Sequence, residues 1–99
     1  MKTKRLLRLG VRAPNEGARR LAIFIMREPV GTLDKLLRKL GIGQISLERM
    51  MVGEITPGSD ISYQIYAFTL GDVLMNDWDR PAEGGWFCGR ADANLRRVA

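Results

Sequence analysis

Residues 32–53 read TLDKLLRKLGIGQISLERMMVG, and the fold turns on this stretch. Leu33, Leu36, Leu37 and Leu40 recur at helical spacing, with Thr32 as the expected N-cap. Asp34 falls in the first turn and Lys35, Arg38 and Lys39 towards the end, the charge order that suits a helix dipole. Gly41 ends this helix, because glycine takes the left-handed backbone that other residues avoid. Only Gly41-Ile42-Gly43 separates it from a second helix, expected from about Gln44 to Val52 and closed by Gly53. A connection this short holds two helices at a steep angle rather than antiparallel. Leu36, Leu37, Leu40, Ile42, Leu47 and Met50 then face inward together. Gln44, Ile45, Ser46, Glu48 and Arg49 are left on the outer face of the second helix.

Working outward, a helix is expected upstream, starting at Asn15 as N-cap and stopped near Arg27 or Glu28 by Pro29. Leu21, Ile23, Phe24 and Ile25 give its apolar face, and Arg19, Arg20 and Arg27 are read as lying largely off it. Downstream, Thr56-Pro57-Gly58-Ser59 is a turn, and Ser59 or Asp60 caps a fourth helix running to about Thr69. Ile61, Ile65 and Phe68 are its core positions, with Tyr63 and Tyr66 interleaved. Residues 73–78 read as a short strand or a helical turn. The expectation is an all-α domain of four to five helices over residues 15–81. A basic arm over residues 1–14 precedes it, and a Gly-rich, basic tail over residues 82–99 follows.

Composition narrows the function classes. At 45% hydrophobic and 27% charged, the 99 residues are too apolar for a disordered chain. The longest apolar run, residues 21–26, is far short of the ~20 residues that span a bilayer. No secretory signal is expected, and a cytoplasmic location follows as an expectation. The single cysteine, Cys88, has no partner for an internal disulfide and reads as an incidental thiol. With no histidine, the usual general base and the commonest metal ligand are both missing, so neither an enzyme nor a metal site is expected. Asp77 and Asp79 make no metal site without a second acidic cluster or a histidine, and Asp72, Asn76 and Asp77 lack the spacing of a calcium loop. Charge is unevenly placed: residues 1–40 hold eleven Lys and Arg against three acids, a net of +8, and residues 41–99 carry −3. A one-sided positive field suits phosphate binding, and a solubilising surface explains it equally well.

Three further features extend residues 32–53 into a longer pattern. The helix at 47–52 ends in Gly53, a Pro-containing loop covers 54–58, and Phe68 with Leu70-Gly71-Asp72-Val73 gives an aromatic-x-x-Gly-x-Val ending. Over residues 15–81 the chain resembles the lambda-repressor/Cro-like helix-turn-helix superfamily. Within it, the resemblance is to the small YdaS/Cro-like regulators of phages and prophages. It departs from that pattern at Leu37, where the family usually has Ala, and at Gly43, where it usually has Ser or Thr.

The resemblance implies a recognition helix at about residues 44–52 that enters the major groove of double-stranded DNA. Gln44 is then the candidate for adenine or a phosphate, and Ser46 for either base or phosphate. Ile45 would meet a thymine methyl, Glu48 cytosine N4, and Arg49, the one cation of that helix, guanine. Thr32 at a helix N-terminus is a candidate phosphate ligand. Lys35, Arg38 and Lys39 add charge, and Lys2, Lys4, Arg5 and Arg8 form an arm along a groove.

Three functions fit these residues. One is a sequence-specific regulator acting as a homodimer. Another is a phage DNA-packaging protein of the small-terminase kind. The third is a helix-turn-helix fold repurposed for protein interaction.

Overall fold

The computed structural model describes residues 9–86. Four α-helices follow in order: α1 Glu16–Arg27, α2 Thr32–Leu40, α3 Gln44–Met51 and α4 Ser59–Phe68. A 3₁₀ helix, Met75–Asp79, comes next, so the segment open between strand and helical turn is helical. There is no strand among the described residues, and the fold is an all-α, helix-turn-helix-like domain. The calls that fall on residues 1–8, Phe87, Cys88 and the remaining tail lie outside the described residues.

α1 starts where the sequence places it. Asn15 is extended, and its Oδ1 accepts a hydrogen bond from the Ala18 N–H at 2.8 Å. This satisfies one of the donors that a helix start leaves orphaned. The helix is then buried almost end to end, with residues 16–25 all shielded from solvent. α3 packs on it, as does the 3₁₀ helix. The Glu16 N–H also donates to the Arg80 carbonyl at 2.9 Å, which fastens residues 80–86 to its first turn.

One expectation is therefore corrected. Arg19 and Arg20 do not lie on a solvated face: they are 0% and 3% exposed. Their charge is tolerated because Glu16 is buried beside them. The Arg19 guanidinium grips Glu16 with two hydrogen bonds of 2.8 Å, and Arg20 Nε adds one of 2.6 Å. Arg27 is half-buried and ion-paired to Asp72, which pins the end of α1 to the segment after α4.

The core is continuous. Leu21 of α1, Leu36 of α2, Leu47 and Met51 of α3, Ile65 of α4, Val73 and Trp78 form one cluster. Burying each large side chain contributes roughly 1.5–3 kcal/mol. Phe68 is half-buried at its edge and meets Phe24 edge to face, with centroids 6.2 Å apart, joining α4 to α1. α4 also packs on α2 and on the 3₁₀ helix.

Helix ends follow the chain's glycines with two corrections. Gly31, not Thr32, is the N-cap of α2, and Thr32 is its first helical residue. Gly58, not Ser59 or Asp60, caps α4. At the far end of α2, the Ile42 N–H donates to Leu37 O (3.3 Å) and the Gly41 N–H to Arg38 O (3.3 Å). Gly41 takes φ 69° there, so this is a Schellman ending. α3 ends the same way, with Glu54 donating to Arg49 O, Gly53 to Met50 O, and Gly53 at φ 85°.

Candidate nucleic-acid interface

The turn Gly41-Ile42-Gly43 sets α3 against the core through Leu47, Met50 and Met51, all buried. Helical spacing then turns the intervening residues outward. Ile45 is 70% exposed, Ser46 is exposed, and the Arg49 side chain is 62% exposed. Gln44 and Glu48 are half-buried. α3 therefore presents the five side chains expected of its outer face.

Two of the five are occupied with each other. Gln44 Nε2 donates to Glu48 Oε2 at 2.9 Å, the i, i+4 arrangement that steadies a helix surface. A contact from Gln44 to adenine or from Glu48 to cytosine would have to reorganise this bond. Arg49 Nε lies 4.0 Å from Glu54 Oε1, with both side chains well exposed, a contact worth little in water.

The start of α3 has no side-chain cap, because Gly43 stands where a Ser or Thr would accept from the first turn. The same holds at Gly31 before α2, where the Thr32 N–H turns back to the Pro29 carbonyl at 3.2 Å. Thr32 is half-buried at that end.

On α2, Lys35, Arg38 and Lys39 are all exposed, and their i, i+3, i+4 spacing makes them one row. The helix buries Leu33, Leu36, Leu37 and Leu40 on its other side. Charge elsewhere in the first forty residues is less available than its count suggests. Arg19, Arg20 and Arg27 are ion-paired inside the fold, which leaves Arg12, Lys35, Arg38 and Lys39 as the exposed cations among described residues 9–40.

The basic arm's candidates, Lys2, Lys4, Arg5 and Arg8, lie outside the described residues, but its root does not. A Cβ built on Gly10 would sit 3.8 Å from Val52 Cγ1, and one built on Gly53 would meet the Pro14 ring at 2.7 Å. The chain therefore enters the domain beside the C-terminal end of α3. The Trp86 indole Nε1 donates to the Gly10 carbonyl at 2.9 Å, so the C-terminal tail leaves from the same place.

Sequence reasoning missed the ionic cluster at the start of α1. Glu83 joins it from the tail: its backbone N–H donates to Glu16 Oε1 at 2.8 Å, and its carboxylate lies 3.7 Å from Arg19 and 3.6 Å from Arg20. Burial by itself pushes the Glu16 carboxyl up. The hydrogen bonds from Arg19, the Glu83 N–H and Arg20 outweigh that and hold it below the usual glutamate range. The local signal was Glu16 followed by arginines at i+3 and i+4. The cluster fastens the tail to the first turn of α1. A cleft of about 500 Å³ lies between residues 11–14 and Pro81, Ala82, Gly84 and Gly85, with Arg12 as the one charged residue lining it among the described residues.

No protein-family model, curated protein or solved structure matches the chain. No helix among the described residues is long and apolar enough to cross a membrane.

Proposed function

We propose that the chain is a sequence-specific DNA-binding regulator, with α3 as its recognition helix and two copies reading two half-sites. The observation that carries this reading is the outer face of α3. Ile45, Ser46 and Arg49 stand exposed one short turn after the exposed row of Lys35, Arg38 and Lys39. A helix entering the major groove needs a few base-reading side chains and flanking cations for the phosphates. Here Arg49 reads guanine, Ile45 packs on a thymine methyl, and Ser46 reaches a base or phosphate. The α2 row, Thr32 and the arm residues Lys2, Lys4, Arg5 and Arg8 supply phosphate contacts. The first helical turn of α3, without a side-chain cap, offers backbone N–H groups to one more.

A second reading, a protein-interaction module, is favoured by one observation. α3 carries a single cation, and its Gln44 and Glu48 are engaged with each other.

Selection of bound duplexes from random DNA separates the two. The regulator reading expects a two-fold-related consensus, with log affinity falling against log salt at a slope of about −0.9 per phosphate contacted. Absence of binding to any duplex at low salt overturns it and moves the interaction module to first place.

A further inference from the structure

We infer that the outer face of α4 is a self-association surface through which two copies of this chain pair. Tyr63, Tyr66, Ala67 and Leu70 are spaced i, i+3, i+4 and i+7, so they line one stripe, and all four are exposed. Tyr63 is 57% and Leu70 88% exposed, and the two tyrosine rings touch with centroids 6.2 Å apart. The eleven residues 61–71, ISYQIYAFTLG, hold no charged side chain in a chain that is 27% charged.

Leu70 supplies a separate observation. It is the one non-glycine residue with positive φ among the described residues, at 55°. It occupies the position that α2 and α3 give to Gly41 and Gly53. A leucine that is both strained and nearly fully exposed gains nothing in the isolated domain. Strained backbone held at a surface points to a role there.

Charge selects the occupant. Two copies of a chain with a net charge of +5 repel wherever their basic faces meet. Contact through the α2 row would oppose Lys35, Arg38 and Lys39 to like charges. The α4 stripe carries no cation, and its one charge is the exposed Asp60 at i−3 from Tyr63, so identical copies can approach there. A two-fold contact sets each tyrosine and leucine against its own surface on the other copy. Tyrosine is also enriched in interface cores. An acidic partner would be drawn to α2 instead. Three large side chains fall short of the ~800 Å² per partner of a standard interface. The pairing is therefore weak in free protein and strengthened when a duplex holds two copies side by side. The inference rests on the DNA-binding reading only for what the pair is for.

The test is sedimentation equilibrium of the full chain without DNA, over a wide concentration range, at low and high salt. The expected result is a monomer–dimer equilibrium that salt does not weaken, unlike the binding of DNA. Tyr63→Ser combined with Tyr66→Ser, both at exposed positions, should weaken dimerisation at least ~tenfold, about 1.4 kcal/mol. Leu70→Gly should weaken it too while raising the melting temperature, a pairing of signs that a folding defect cannot produce. A chain that stays monomeric throughout, or a dimer unchanged by both variants, overturns the inference. A chain that dimerises through α4 but binds no duplex supports it and removes the DNA reading. A monomer that binds duplex one to one overturns it together with the two-half-site part of that reading, and leaves only DNA binding through α3 standing.

Discussion

Gly41 and Leu70 hold the same position in the same helix-ending motif. In α4 the Gly71 N–H donates to Tyr66 O at 3.0 Å and the Leu70 N–H to Ala67 O at 3.2 Å, matching the bonds that Ile42 and Gly41 make at the end of α2. Both residues take left-handed backbone, with φ 69° and 55°. For an L-residue that conformation costs roughly 1–2 kcal/mol, and for glycine little. Leu70→Gly should therefore stabilise the domain by ~1 kcal/mol once the extra freedom of an unfolded glycine is deducted. Gly41→Ala should lose a similar amount. Nothing lies within 4 Å of a Cβ at Gly41, so its loss would be backbone strain alone. Thermal melts of the two variants, in opposite directions, check the pair.

Gly17 answers to a different constraint. It sits in the buried part of α1 under the Trp78 ring, and a Cβ there would fall 2.3 Å from Trp78 Cδ2. Trp78 is itself buried, so neither side can yield without moving the 3₁₀ helix. Gly17→Ala should destabilise by ~1–3 kcal/mol or more despite the helix propensity of alanine, the usual penalty of overpacking. Gly58→Ala, at a helix cap where nothing lies within 4 Å, is the control. Urea midpoints should fall sharply for the first and little for the second.

The Glu16 cluster predicts an acid-sensitive fold. The folded Glu16 carboxyl is held below its usual range, so its contribution is present above the unfolded pKa of ~4.3 and is lost as pH falls through the lower folded value. Stability should hold from neutral pH to about 5 and decline below it. Glu16→Gln leaves two buried guanidiniums short of their counter-charge, a change of the kind that costs ~3–5 kcal/mol at neutral pH. That deficit should shrink in acid, where the parent carboxylate is protonated as well. Melting temperatures of the two proteins that run parallel between pH 7 and 3 would count against this account.

How legible each part was depended on distance along the chain. The leucine spacing of α2, the left-handed Gly41, the Asn15 cap and the Pro29 stop are each decided within one or two helical turns, and each appears where its residues place it. The outer face of α3 follows from the burial of Leu47 and Met50, so the exposure of Ile45 and Arg49 was legible as well. The buried ionic cluster was legible only by half. Glu16, Arg19 and Arg20 are neighbours on one helix, but the 3₁₀ helix that packs on it and Glu83, which joins the cluster, come from far along the chain, Glu83 lying 67 residues from Glu16. Without that distant segment, three charges on a helix read as solvated. For the same reason the net charge of residues 1–40 overstated the cations free to meet a phosphate. Leu70 shows a further limit: its side chain says nothing of the left-handed backbone, which hydrogen bonds to Tyr66 and Ala67 impose.

Leu47 tests the register of the two helices joined at Gly41. It is fully buried and belongs to the cluster that α1, α2 and α4 share. Leu47→Ala should cost ~2–5 kcal/mol, a large part of the stability of a domain this size. Ser46→Ala, on the exposed side of the same turn, should change the melting temperature little, because it removes no packed surface.

The sharpest expectation sets Arg49 against Lys39. Both are exposed cations, so they should contribute alike if the domain met DNA only through a diffuse positive field. They differ in place: Arg49 stands on the outer face of α3, and Lys39 in the last turn of α2. If α3 enters the major groove, Arg49→Ala should cost ~1–3 kcal/mol on the selected site and relax the preference at one base pair. Lys39→Ala should weaken selected and random duplexes about equally and reduce the salt slope by about 1. Neither residue contributes to the core, so both variants should melt with the parent, which separates lost contacts from lost folding. Titrations of each variant against selected and scrambled duplexes at several salt concentrations give the comparison. If Arg49→Ala instead lowers both affinities equally, as Lys39→Ala should, then Arg49 faces phosphate and α3 does not read bases.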